Sequence, residues 1–292
     1  VLGLQELFSL ANMVAEQEDI PQRFSVDIIS MDDIKQGTMA VDSLKVMILP
    51  PSLGGGYYLE PEQELLDWIL KHHAKGSTLC SACAGAFIIA ASGLSEGRRC
   101  TTHWDLSHEF EERYPNVPLD SNKILINDGD LITAGGLMSW VDLGLELVAQ
   151  LTSPILMRKL GKLMVVDTGP REQRYYNSLS PRLDHGDEDI LKIQHYMQAN
   201  FHHALTVKAL AERAHLGERT FLRRFLKATG HRPSEYLQRL RIRKACELIE
   251  STNTSIDNIA YQVGYEDSSA FRKTFIKIIG LTPRDFKKRF CA

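Results

Sequence analysis

Apolar residues in the first half of the chain fall into short continuous runs separated by longer amphipathic stretches. Phe24–Ser30 (FSVDIIS), Lys45–Pro50 (KVMILP) and Thr78–Ala82 (TLCSA) read as buried strands. Pro61–His73 and Gly85 to about Ser92 read as helices. Short strands are predicted near Ile124–Asn127 and Leu131–Ala134, then helices over Ser139–Leu151 and Pro154–Val166. Strand and helix in alternation predict an α/β domain, a parallel sheet sandwiched by helices. From 168 to 186 (TGPREQRYYNSLSPRLDHG) the periodicity stops and Pro, Gly, Ser and charge gather, as in a linker. From Asp187 onward the pattern is helical throughout. The predicted organisation is an α/β domain over 1–167, a linker over 168–186 and an all-α domain over 187–292.

The all-α part repeats itself at an offset of 49 to 50 residues. Leu205–Tyr236 (LTVKALAERAHLGERTFLRRFLKATGHRPSEY) aligns with Thr254–Phe286 (TSIDNIAYQVGYEDSSAFRKTFIKIIGLTPRDF). Phe221, Phe225, Gly230, Pro233 and Tyr236 match Phe271, Phe275, Gly280, Pro283 and Phe286. Each copy makes sense as helix, tight turn, helix, over about 206–227 and 255–278. Thr206 and Ser255 are placed to cap the first helix and Asp267 to cap the second helix of the second copy. Gly264 supplies a left-handed turn residue, with His215 in the corresponding place. The phenylalanines at i, i+4 pin the second helix to the core, and Gly230 and Gly280 end it. Away from those phenylalanines lie Arg219, Leu222 and Arg223 in one copy and Ser269, Arg272 and Lys273 in the other. An exposed arginine on such a helix fits the major groove, where it meets both guanine acceptors. Lys227, Lys277, Arg232, Arg284 and Lys287 are placed to serve phosphates.

Charge sharpens this picture. The whole chain carries a net −3, which alone argues against nucleic acid. Residues 186–292, however, hold 19 Lys and Arg against 12 Asp and Glu, a net of +7, leaving 15 against 25 and a net of −10 for the rest. An acidic body joined to a basic domain predicts that only the latter meets DNA. At 292 residues and 43% apolar composition, two cores are affordable. No apolar run approaches twenty residues, so no membrane span is predicted. The sequence opens at Val1 with neither an initiator Met nor a signal-peptide pattern, so an N-terminal trim with a missing first strand is expected. Five cysteines at irregular spacing suggest neither a disulfide framework nor a zinc site, and a reducing cytoplasm fits them. No cofactor or metal is called for.

The second chemical feature is STLCSACAGAFIIAASGL, an apolar strand running into a helix of small residues. S-A-C-A-G has the form of a nucleophile elbow centred on Cys83, with Ser81 in place of the usual first glycine. A helix starting directly after it is expected to lower the thiol pKa. His103, in TTHW, is a reasonable partner, and the run Gly54–Gly56 follows a strand and offers free N–H groups. Three readings of Cys83 stand open: a nucleophile, a residue lining a ligand pocket, or a small buried hydrophobe. Cys80, on the strand, belongs to the core, and Trp104 either lines the pocket or covers the sheet edge. Cys83, His103, Gly55 and Ala84 are the candidate pocket residues, at the carboxyl end of the sheet where such folds bind ligands.

Over about 187–289 the sequence resembles the AraC-type DNA-binding domain, most diagnostically in G-Y-x-D-x-S-x-F-x-[RK]-x-F followed by G-x-x-P-x-x-[FY]. The resemblance implies two recognition helices in successive major-groove segments, joined by a long helix at about Pro233–Ile249. Lys273 stands where that family more often has Arg. Over roughly 1–166 the chain resembles the ThiJ/PfpI superfamily, related to class I glutamine amidotransferases. That resemblance implies a flavodoxin-like fold and a site of Cys elbow, His and often an acid from the first helix, for which Glu6 is the candidate. Leu49–Gly56 departs from the usual Gly-Gly after the strand, having Pro50, Pro51 and Ser52 first. Together the two resemblances imply a transcription activator that senses a small nitrogenous metabolite, an amino acid or quaternary amine. Promoter DNA, RNA polymerase and a second copy of the chain are the implied partners. The alternative is a Cys-dependent amidase or hydratase tethered to a DNA-binding domain.

Overall fold

The computed structural model describes residues 1–37, 44–51, 55–169, 171–176 and 181–291. The chain divides into two compact units, Val1–Gln173 and Arg174–Ala292.

The first unit is an open four-stranded sheet flanked by helices. Its strands are β1 (Val46–Leu49), β2 (Thr78–Ala82), β3 (Leu125–Asn127) and β4 (Leu131–Ala134), in the order β1-β2-β4-β3. Alternation along each strand sends side chains to opposite faces. Val46, Ile48, Cys80 and Ile132 join α1 (Leu2–Gln17), α6 (Trp140–Leu151) and α7 (Pro154–Met164) in one core. Met47, Leu49, Leu79 and Leu131 meet α3 (Gln63–His73) and α4 (Gly85–Ala91) on the other side. Helix α1 buries Leu4, Leu7, Phe8, Ala11, Val14 and Ala15, a single helical stripe. Two short helices, α2 (Met31–Gln36) and α5 (Ser107–Arg113), complete the unit.

Two details differ from the sequence expectation. β3 runs antiparallel to β4, so the sheet is mixed; a tight turn joins the two strands, with Asp128 N–H donating to Leu131 O, and too few residues separate them for a parallel crossover. Phe24–Ser30 is not a strand. Its apolar composition is used otherwise: Phe24 stacks on Phe8 with ring centroids 4.9 Å apart. The Asn12 amide takes both Phe24 backbone groups at 2.8 Å, while Ser30 caps α2 in a capping box with Asp33.

The second unit is helical: α8 (Glu188–Ala199), α9 (Val207–Arg213), α10 (Glu218–Thr229), α11 (Pro233–Ser251), α12 (Ile256–Gln262), α13 (Ser268–Ile279) and α14 (Pro283–Phe290). It holds two cores. One gathers Ile190, Met197, Leu210, Phe221, Phe225 and Tyr236. The other gathers Ile249, Ile259, Phe271, Phe275, Ile279 and Phe286. The 19-residue α11 contributes Tyr236 and Leu240 to the first and Ile242 and Ile249 to the second. It is the shared beam between two similar subassemblies.

Candidate nucleic-acid interface and ligand pocket

Each repeat forms its helix-turn-helix by the same local chemistry. Thr206 Oγ1 accepts from Ala209 N–H at 3.2 Å and Ser255 Oγ from Asn258 N–H at 3.3 Å, capping α9 and α12. Both helices end in paired reverse bonds. His215 N–H donates to Glu212 O and Leu216 N–H to Ala211 O; Gly264 N–H donates to Tyr261 O and Tyr265 N–H to Ala260 O. The left-handed residue is His215 (φ 54°) in one turn and Gly264 (φ 88°) in the other. Glycine is required only in the second, where a Cβ would lie 2.6 Å from His202 O. Asp267 accepts from Ser269 and Ala270 N–H at 2.9 and 3.0 Å, and these bonds hold its carboxyl below the usual range.

On α10 and α13 the phenylalanines at i, i+4 are wholly buried, which turns the opposite faces outward. Arg219, Leu222, Arg223, Ser269, Arg272 and Lys273 are all exposed. The cations differ in how they are held. Arg224, next to Arg223, points back to the start of α8 and forks onto Asp187 at 2.8 and 2.6 Å, with Asp189 at 3.0 Å. Arg272 pairs with Asp257 across the turn at 2.7 Å. Among the described residues no ion pair engages Arg219, Arg223 or Lys273. Of the cations read as phosphate partners, Lys227, Lys277, Arg232 and Arg284 are exposed and Lys287 is half-buried. Arg284, Lys287 and Lys288 share a groove with Arg272 and Ile276 between α13 and α14.

In the first unit Cys83 has the elbow geometry. Strand β2 ends at Ala82, Cys83 takes φ 53°, and α4 begins two residues later. Thr102 Oγ1 donates to Cys83 O at 2.9 Å, and Cys83 N–H donates to Ala134 O at 2.8 Å. Burial works against the expected lowering of the thiol pKa. Cys83 is 6% exposed, and burial raises its pKa against a smaller lowering by the Ala84 N–H. Cys80 is fully buried, its pKa also raised by burial.

His103 is half-buried, and its Nδ1 accepts from Asp105 N–H at 3.1 Å, starting a short 3-10 turn over Trp104–Leu106. Burial lowers its pKa, against Asp105. With Nδ1 occupied as an acceptor, the neutral ring carries its proton on Nε2. That nitrogen is a hydrogen-bond donor rather than a base. Trp104 stacks at a tilt on His103, centroids 5.4 Å apart. Ala84 is buried, Gly55 is exposed, and Glu6 is exposed on α1. Residues 52–54, including Ser52 and Gly54, lie outside the described residues.

Two members of this region were not legible in the sequence. Tyr58 packs edge-on against Phe87 at 5.0 Å, and its hydroxyl pKa is raised by burial, then by Glu109 and Cys83. Gln173, in the stretch read as linker, is buried at the foot of the Thr101–Trp104 segment. No composition or spacing signal marks either.

Residues 11–150 match the DJ-1/PfpI family, and residues 210–289 match a helix-turn-helix domain family. Among characterised proteins, the chain is similar to the HTH-type transcriptional regulator CdhR of Pseudomonas aeruginosa, 29% identical over 72% of this chain and 63% of that protein. It is similar to the HTH-type transcriptional regulator GbdR of the same species, 24% identical over 80% of this chain and 63% of that protein. It also resembles an isonitrile hydratase of Pseudomonas putida, 33% identical over 37% of this chain and 46% of that enzyme. The matched region thus spans 63% of the length of the two regulators.

Proposed function

We propose that this chain, an AraC-type helix-turn-helix protein carrying a ThiJ/PfpI-like N-terminal domain, is a transcription activator controlled by a small nitrogenous metabolite. One observation carries the DNA half of this reading. Arg219 and Arg223 stand exposed on α10 opposite two buried phenylalanines, and on α13 Lys273 stands exposed in the same way, beside an Arg272 that pairs with Asp257. Structural cations such as Arg224 are bound to carboxylates. Cations left on one face of a domain with net charge +7 are available to base edges and phosphates.

The effector reading rests on the pocket chemistry. A His103 Nε2–H donor suits a carboxylate or amide oxygen, and the Trp104 ring stacked beside it suits an alkyl or quaternary ammonium group. An amino acid or betaine-like zwitterion offers both. An amidase or hydratase reading requires a thiolate and a base. Burial opposes the first, and the Asp105 contact fixes His103 in the wrong tautomer for the second. A second copy of the chain and RNA polymerase complete the proposed assembly. Helix α7 supports dimerisation by leaving Ile155 and Leu163 exposed, with Val165 just beyond it.

The test is promoter binding by wild type, Cys83→Ala and His103→Ala, each with glycine betaine and L-arginine as probes. The proposal expects both variants to bind DNA as wild type does while losing the response to the probe. Turnover of an amide or nitrile substrate, abolished by Cys83→Ala, would overturn it in favour of the enzyme.

A further inference from the structure

Gln173 is 1% exposed, although it lies in a stretch whose composition is that of a linker. Its Nε2 donates to Thr102 O at 2.9 Å and Lys123 O at 2.8 Å, and lies 3.1 Å from Thr101 Oγ1. Its Oε1 accepts from Trp104 N–H at 3.3 Å. Room for the carboxamide exists because residue 135 is glycine, where a Cβ would fall 1.7 Å from Gln173 Nε2. The residues before it are also held. Arg171 forks onto Asp142 of α6, Glu172 pairs with Lys123 at 2.8 Å, and Gln173 N–H donates to Asn122 O at 2.8 Å. Arg174, the next residue, belongs to the second unit.

Gln173 therefore binds the backbone of the segment that carries His103 and Trp104, and this segment is tied to the elbow through the Thr102 hydroxyl on Cys83 O. We infer that Gln173 is a positioning residue that sets the His103–Trp104 wall of the candidate pocket from the start of the tether. The shape of the pocket and the anchoring of the tether are then one equilibrium. An occupant that moves Trp104 takes away the acceptor's donor and leaves a buried carboxamide half-satisfied, which favours release of the strap. Release of residues 171–173 lengthens the tether to the DNA-binding unit by about 10 Å. The inference rests on the sensor reading of this pocket, but it requires neither DNA nor a known effector to be tested.

The experiment is amide hydrogen exchange on the full chain, following peptides 101–106 and 171–176 in wild type, Thr102→Val, Gln173→Met and the double variant. Methionine keeps the volume of glutamine and removes its hydrogen bonds. Thr102→Val, which removes the side-chain bond to the elbow and leaves the Thr102 carbonyl that Gln173 binds, is expected to speed exchange in 171–176 several-fold. Gln173→Met is expected to speed exchange in both peptides, and the double variant to match Gln173→Met alone. Should Thr102→Val fail to give a folded chain by circular dichroism, His103→Ala, which loosens the same turn, goes through the same comparison. Wild-type exchange in 171–176 for the wall variant, or effects that simply multiply in the double variant, would overturn the inference. Promoter binding is not read in this experiment, so its failure and that of the regulator reading remain separate.

Discussion

Arg272 Nη2 lies 2.7 Å from Asp257 Oδ1, joining the first turn of α12 to the exposed face of α13. The Arg272 guanidinium and then Ser268 hold the Asp257 carboxyl below its usual range. The corresponding positions in the first repeat are Lys208 and Leu222, which cannot form such a pair. The two repeats are therefore alike in fold and unlike in charge arrangement at the face proposed for DNA. The pair is exposed on both sides, so it contributes little to stability. Asp257→Ala is expected to leave the melting temperature unchanged, to tighten non-specific DNA binding and to steepen its salt dependence. Fluorescence anisotropy over a salt series reads both; unchanged affinity would mean that Arg272 stays away from the phosphates.

Arg223 and Arg224 are neighbours with opposite fates. Arg223→Ala is expected to cost about 1–3 kcal/mol at one base position and to relax specificity there, with stability within about 0.5 kcal/mol of wild type. Arg224→Ala is expected to lower the melting temperature instead, since it strands Asp187 and Asp189. Asp187 is held below the usual carboxylate range chiefly by Arg224. Its contribution to stability is therefore complete above the ordinary aspartate pKa of about 3.9 and is lost as pH falls through its lower folded value. In Arg224→Ala that part of the acid dependence should shrink, as read by thermal melts between pH 2 and 7.

The turns offer a paired prediction. His215→Gly is expected to stabilise the chain by about 0.5–1 kcal/mol, because a non-glycine residue at φ 54° is strained by more than glycine's extra chain entropy. Gly264→Ala is expected to destabilise it by more than that, since the new Cβ meets the His202 carbonyl. Denaturant melts of the two variants decide whether the turns are as unequal as their contacts.

Cys83 tests the chemistry of the first unit. With its thiol pKa raised by burial, the thiolate fraction at pH 7–8 falls below that of a free cysteine. Alkylation of Cys83 by iodoacetamide, followed by peptide mass spectrometry, is expected to be slower than that of a free thiol. Its rate should continue rising beyond pH 8.5. Fast labelling at pH 7 would restore the nucleophile reading.

The sequence carried most of what depends on local pattern. The strands at 46–49, 78–82 and 131–134, both helix-turn-helix repeats and their caps were readable because periodicity, capping residues and turn glycines act over a few positions. Phe24–Ser30 failed because strand-like composition says nothing about whether a ladder neighbour exists, and here Asn12 satisfies the backbone of Phe24. The expected activation of Cys83 failed for a related reason: the following helix start is local, whereas the burial that outweighs it comes from packing. Gln173 was invisible because its partners, Thr101, Thr102 and Lys123, lie 50 to 72 residues away. The Asp257–Arg272 pair leaves no mark in the sequence because it forms across a turn, 15 residues apart, outside the i, i+4 rule for one helix.

Regulation of a promoter is tested most directly by binding of the full chain to DNA upstream of its own and neighbouring genes. It is titrated over salt, with and without glycine betaine and a panel of amino acids. Specific binding that weakens steeply with salt and is shifted by one of these compounds is expected. Binding that no compound shifts would contradict a sensing role for the first unit, and the absence of any specific site would contradict promoter regulation altogether.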